Sequence, residues 1–252
     1  MSRNYRFLAL RNLAMLLLLI FSATACEPVD PVSLQSGKSD KNQLNAAAQG
    51  GLQPGHWHNE ALEWMMQNRS IEDLAFAPEQ MVSDLMLQMN GVNGHPPASD
   101  DAIQGLTQFV LQNNLNDPTQ EMMDQAFNTV RASGVFSEEL MTLTESLYEM
   151  GKNNAPEEDL MDLISLIEEQ EWEGTDAIAA FHLVDTFHAS KAYWEANDPE
   201  TLTEKKVYVA DAVGSLVGYG LSVLGGTTAV LMPWAGYVTG AMFSFIYDAL
   251  PV

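Results

Sequence analysis

The sequence predicts an all-α protein, a bundle of about seven to nine helices ending in a glycine-rich helical hairpin at the carboxyl end. Three observations point there. Apolar residues recur at helical spacing in one segment after another beyond Trp57. Those segments open on capping residues or proline and close on glycine, asparagine or a break. No stretch alternates polar and apolar residues as a half-buried strand would.

Taken in order, Pro78 stands at a first-turn position, Met81, Val82, Leu85, Met86 and Met89 form one stripe, and Gly91 closes it. Asp101 to Asn113 repeat the pattern with Ile103, Leu106 and Val110. Asp117-Pro118 predicts a cap followed by proline at the first helical position, ahead of a stripe of Met122, Met123, Ala126, Phe127 and Val130. Ser137-Glu138-Glu139 starts the next helix and Gly151 ends it; Pro156 then opens a run carrying Leu160, Leu163, Ile164 and Ile167. Gly174 to Trp194 is a further helix, broken at Asn197-Asp198-Pro199. Five of the fourteen methionines (Met81, Met86, Met89, Met122 and Met123) fall on these stripes, where a flexible thioether fills irregular gaps.

The carboxyl-terminal segment, 206–252, is different in kind. Asp211 and Asp248 bracket a stretch without a charged residue, divided at Gly225-Gly226 and again at Pro233 into two apolar helices. Each carries small residues at spacing four: Gly214, Gly218 and Ser222 in the first, Gly236, Gly240 and Ser244 in the second. Glycine inside a helix costs about 1 kcal/mol relative to alanine. Close approach of the two helices would compensate. A packed hairpin forming the core of a water-soluble domain is expected. The alternative, a membrane-active glycine-zipper hairpin, has arms short for a full span and diluted by Tyr219, Thr227, Thr228, Tyr237 and Thr239.

The amino end reads as an address. Arg3, Arg6 and Arg11 precede the uncharged run Leu13 to Phe21, and small residues lead to the single cysteine, Cys26. A basic flank, a short apolar core and a small-residue exit describe a signal peptide over residues 1–25. Ala23-Thr24-Ala25-Cys26 resembles the lipobox of bacterial lipoproteins, which implies a covalent lipid on Cys26 and anchorage to a membrane. Ala23-x-Ala25 also suits ordinary signal peptidase, which would leave a free thiol, an odd passenger in an oxidising compartment. Glu27 follows the cysteine, which by that resemblance leans toward the outer membrane of a Gram-negative cell. Residues 26–55, rich in Pro, Ser, Gln, Asn, Gly and Ala, read as a flexible tether. As a coil it would span roughly 30 Å. The helical domain is placed at 56–252.

Charge excludes several roles. Without the three leader arginines the chain holds 34 acids against eight bases, a net −26. Nucleic acid is not a partner of such a surface, because its binding needs Lys and Arg to neutralise phosphates. The acids are scattered over helix faces and no calcium loop appears, so they read as a solvating coat.

Chemical candidates are few. His56 and His58 lie close to Glu60, while His182, Asp185 and His188 step by three along a helix. His56, His58, His182 and His188 could together make a zinc site, although the spacing is not that of a metallohydrolase motif. There is no nucleophile elbow, P-loop or dinucleotide fingerprint.

Three pieces stand out together: Gly55-His56-Trp57-His58-Asn59-Glu60-Ala61-Leu62-Glu63-Trp64, Ala189-Ser190-Lys191-Ala192-Tyr193-Trp194, and the glycine-rich stretch from Ala210 onward. They resemble, in that order, the HN-x-x-L opening, the S-x-x-Y-W helix end and the glycine-rich carboxyl end of a group of exported bacterial lipoproteins of Bacteroidetes type. That group has no assigned activity. The resemblance marks His58, Asn59, Tyr193 and Trp194 as structural, with His58 and Asn59 expected to cap the first helix and Trp194 to pack where that helix meets the hairpin. The expected function is a non-enzymatic, lipid-anchored binding or envelope-interaction module, with no cofactor beyond the lipid. The rivals are the membrane-active hairpin and a metal-dependent hydrolase built on the histidines.

Overall fold

The computed structural model describes residues 53–92, 95, 97–204, 206–226 and 232–250. Cys26, the leader and nearly all of the expected tether lie outside these residues. The described residues form eleven helices and no strand: α1 (Pro54–Asn68), α2 (Ile71–Phe76), α3 (Pro78–Met89), α4 (Asp100–Gln112), α5 (Gln120–Ser133), α6 (Glu138–Lys152), α7 (Glu157–Glu169), α8 (Gly174–Asn197), α9 (Pro199–Glu204), α10 (Val207–Leu224) and α11 (Met232–Ala249).

The excess over the seven to nine expected comes from α2 and α9, which are too short to show a period. Local capping makes them. Ser70 and Asp73 form a reciprocal capping box at the start of α2. The Asp198 carboxylate accepts from the backbone N–H of Thr201, 3.2 Å away, and from its hydroxyl at the start of α9.

Other boundaries follow the caps. Ser99 and Ser137 accept from Ala102 and Leu140 backbone N–H groups to start α4 and α6. At α5 the cap is Thr119, which accepts from Met122 N–H, so Asp117-Pro118 precedes the helix instead of opening it. Gly151 does not terminate α6 but lies within it. A Cβ there would sit 2.6 Å from Val209 Cγ1, so its lack of a side chain lets α10 come close.

The amphipathic helices deliver the expected core: Met81, Val82, Leu85, Met86 and Met89 of α3, and Met122, Met123, Ala126, Phe127 and Val130 of α5, are all buried. At the centre stands α10, buried from Val207 through Ser222. Its most extensive partner is α11, followed by α8, with α5 and α6 on further sides. α1 packs on both α8 and α11.

The hairpin is antiparallel and packed backbone to backbone. A Cβ on Gly214 would meet Phe243 Cβ at 2.9 Å and Gly240 Cα at 3.0 Å, and one on Gly218 would meet the Ala235 carbonyl at 2.2 Å. Gly220, outside both expected rails, faces Val130 of α5 and Phe136 at 2.7 and 2.8 Å.

Candidate functional site

Most of the polar side chains inside this core sit on one seam. On α8, His182, Thr186, Ser190 and Trp194 recur every four residues and are buried. On α10, Asp211, Ser215 and Tyr219 do the same. The helices run antiparallel in constant register. Ser190 Oγ donates to Asp211 Oδ2, Thr186 Oγ1 lies 3.2 Å from Ser215 Oγ, and the His182 ring stacks on Tyr219 with centroids 5.4 Å apart. His182 Nδ1 is also 3.5 Å from Ser215 Oγ.

α1 brings the third side. It begins at Pro54, two residues inside the expected tether, so His58 and Asn59 lie within the helix and do not cap it. The amino end of α1 is held by α8 instead: Gly55 N–H donates to Asp185 Oδ2 at 2.8 Å, and Asn59 Nδ2 donates to the Ala189 carbonyl at 2.9 Å. The two contacts share a sequence offset of 130, so α1 and α8 run parallel. Gly55 permits this, since a Cβ would fall 2.5 Å from the Asp185 carbonyl oxygen.

So placed, His58 Nε2 lies 3.2 Å from Asp211 Oδ1, with both side chains at 0% exposure. Asn59 Oδ1 sits 3.0 Å from His58 Nδ1, and Trp194 Nε1 donates to Asp211 Oδ2 at 3.3 Å. Burial by itself would push the His58 pKa down. The Asp211 charge and hydrogen bonds to Asp211, Asn59 and the Gly240 backbone outweigh it and raise the value above the usual range. His182 has no acid beside it, and burial pushes its pKa down to about 4.

Each expected residue therefore has a place. His58 and Trp194 converge on Asp211, Asn59 lies against the His58 ring nitrogen, and Tyr193 is half-buried. Gly214, Gly218, Gly236 and Gly240 form the close contact of α10 with α11, and the last two also face imidazoles. A Cβ on Gly236 would lie 3.0 Å from His182 Nδ1, and one on Gly240 would lie 3.1 Å from His58 Cδ2. The four histidines of the expected zinc set do not come together: His58 and His182 are engaged in separate parts of the seam, His188 lies 3.9 Å from Glu168 with 44% of its side chain exposed, and His56 faces solvent. Among the described residues no group of three or more His, Cys, Asp or Glu is arranged to hold a metal ion.

Scanned against protein families, curated proteins and solved structures, the chain matches none.

Sequence reasoning missed the hub. Asp211 served only to mark where the uncharged stretch begins. The available signal was a lone acid with Ser215 four residues on, opposite a four-residue ladder of His, Thr, Ser and Trp. His95 was also passed over. It packs among Trp57, Trp234 and Tyr237, with Nε2 against the Tyr237 hydroxyl and its ring centroid 4.0 Å from that of Trp234.

Chemically the hub is poorly arranged for nucleophilic catalysis. Ser190 hands its hydrogen bond to Asp211 and not to His58, so no imidazole stands ready to take its proton. Asp211 receives His58, Ser190 and Trp194 at once, as a buried carboxylate that organises three helices does.

Proposed function

We propose that the chain is an exported helical module anchored to the cell envelope by lipid on Cys26, and that it acts through its surface as a binding or envelope-interaction protein and not as an enzyme. The carrying observation is that its most reactive side chains, His58 and Asp211, are fully buried and committed to each other and to Ser190, Trp194 and Asn59. A substrate would have to displace three helices to reach them. The address rests on the basic leader, its short apolar core and the lone Cys26.

The outer surface offers an open hollow of about 390 Å³ between α1 and α3, lined by Trp64, Asn68, Arg69, Asp84, Leu87 and Gln88. The Arg69 guanidinium lies over the Trp64 ring at 5.0 Å and pairs with Asp84.

Intact-mass spectrometry of protein taken from its native membrane tests the anchor. The expected species begins at Cys26 with a thioether-linked diacylglycerol. A mature chain beginning with an unmodified thiol would overturn the reading. Metal analysis tests the non-enzymatic part: stoichiometric zinc that disappears on His58→Ala would restore the hydrolase.

A further inference from the structure

The hollow between α1 and α3 has a chemistry that narrows what it can hold. Its wall is an indole, an aliphatic chain, two carboxamides, a guanidinium and a carboxylate: Trp64, Leu87, Asn68, Gln88, Arg69 and Asp84. At about 390 Å³ it lies at the small end of the roughly 300–1,000 Å³ usual for ligand clefts.

The two charges are already committed. Arg69 lies over the Trp64 ring at 5.0 Å and pairs through Nη2 with Asp84 Oδ2, while Gln80 Nε2 donates to Asp84 Oδ1 at 2.7 Å. An anion would meet a guanidinium already neutralised, on a chain of formal net charge −23. A cation would meet a carboxylate engaged on both oxygens and a guanidinium beside it. Neither is drawn in.

What remains open is polar and, but for one guanidinium nitrogen, uncharged. Asn68 Nδ2 donates to the Trp64 carbonyl at 2.8 Å, which leaves its Oδ1 to accept. Among the described residues the Gln88 carboxamide, Trp64 Nε1 and Arg69 Nη1 make no hydrogen bond, and none of these atoms is shut off from solvent. Leu87, 55% exposed, adds aliphatic surface that the core does not claim.

These groups are side chains alone. Trp64, Asn68, Asp84, Leu87 and Gln88 lie within α1 and α3, whose main-chain N–H groups at these positions are spent inside the helices, and Arg69 N–H donates to the Met65 carbonyl. A peptide therefore finds no extended edge on which to lay its backbone. A sugar has what the wall asks for. Each hydroxyl donates and accepts at once, which suits the Gln88 carboxamide and the Asn68 acceptor beside the Trp64 and Arg69 donors. The ring C–H groups can rest on Leu87 and the indole.

We propose that the α1–α3 hollow is a binding site for an uncharged saccharide, which names the ligand class of the surface-binding module proposed above and rests on that reading.

The test uses the protein as isolated from cells, kept in a detergent without a sugar headgroup. Cellobiose, maltose, mannobiose and diacetylchitobiose are titrated by saturation-transfer difference NMR, with N-acetyl-trialanine amide as an uncharged peptide for comparison. The expected result is that at least one of these sugars binds with a dissociation constant on the order of 1 mM and the peptide does not. Trp64→Ala should weaken that sugar about tenfold and Gln88→Ala about threefold. No sugar bound more tightly than about 10 mM, the peptide preferred to every sugar, or sugar binding indifferent to both variants overturns the proposal. Should Trp64→Ala fail to fold, Gln88→Ala and Leu87→Ala, both at exposed positions, decide in its place. A hollow that takes no sugar leaves the lipid anchor standing, since intact mass reads that separately. Cleavage of the bound sugar would uphold the site and overturn the non-enzymatic reading.

Discussion

The two main faces of α10 solve the same packing problem by opposite means. Toward α11 it presents Gly214 and Gly218 and lets backbone meet backbone; toward α8 and α1 it presents Asp211 and Ser215 and meets polar partners. The glycine face is tolerant of pH and intolerant of volume. The polar face should tolerate modest volume changes and be sensitive to any change of charge. One helix thus shows that close packing and buried electrostatics can be kept on separate sides, each with its own mode of failure.

The sharpest way to break the polar face is Asp211→Ala, which strands the buried His58 imidazole and the Ser190 and Trp194 donors. A loss of about 3–5 kcal/mol in urea denaturation is expected. Pairing it with His58→Leu should recover part of that loss, because removing both charges also removes their desolvation cost. A double variant less stable than Asp211→Ala would show that the imidazole contributes something beyond the pair.

pH separates the two histidines of the polar face without a mutation. His182 has a lowered pKa in the fold, so its contribution is complete above the unfolded value of 6.5 and is lost as pH falls toward about 4. That window spans about 3 kcal/mol. His58 has a raised pKa, so its contribution is present below the unfolded value and fades as pH climbs through the folded one. Denaturation at a series of pH values should show loss of stability on the acid side that His182→Gln reduces. If His182→Gln leaves the acid limb unchanged, the loss belongs to the carboxylates.

On the glycine face, Gly218→Ala should cost about 2 kcal/mol, since its methyl would collide with the Ala235 carbonyl and Thr239 Oγ1 at 2.2 and 2.5 Å. That penalty should be the same at neutral and mildly acid pH, in contrast to Asp211→Ala. The smallest effect is expected at His188→Ala, a half-exposed side chain 3.9 Å from Glu168, within about 0.5 kcal/mol of the parent.

The helices and the glycine rails were legible because both are local. Met81 to Met89 carry a period of 3.6 within one segment, and Gly214 and Gly218 state their spacing directly. The hub was not legible. His58, Ser190, Trp194 and Asp211 come from three helices far apart in the chain, and nothing in the short-range pattern says that α8 and α10 share a register. His182, Asp185 and His188 were instead joined by their spacing of three. In the fold they meet Tyr219, Gly55 and Glu168, because each step of three residues falls about 60° short of a full helical turn and His182 and His188 end about 120° apart. The first-helix cap failed for a related reason: Pro54 starts α1 before the resembling motif begins, and α8 supplies what a cap would have supplied.

The docking of α1 onto α8 and α11 also constrains how the domain is made. Its contacts reach across 130 residues to Asp185 and Ala189, and His95, early in the chain, reaches across 142 residues to Tyr237. Contacts of such sequence separation slow folding, because long loops must close before they are rewarded. The first of the described helices is thus completed by the last, so a nascent chain stopped before α11 would lack the helix against which both α10 and α1 pack.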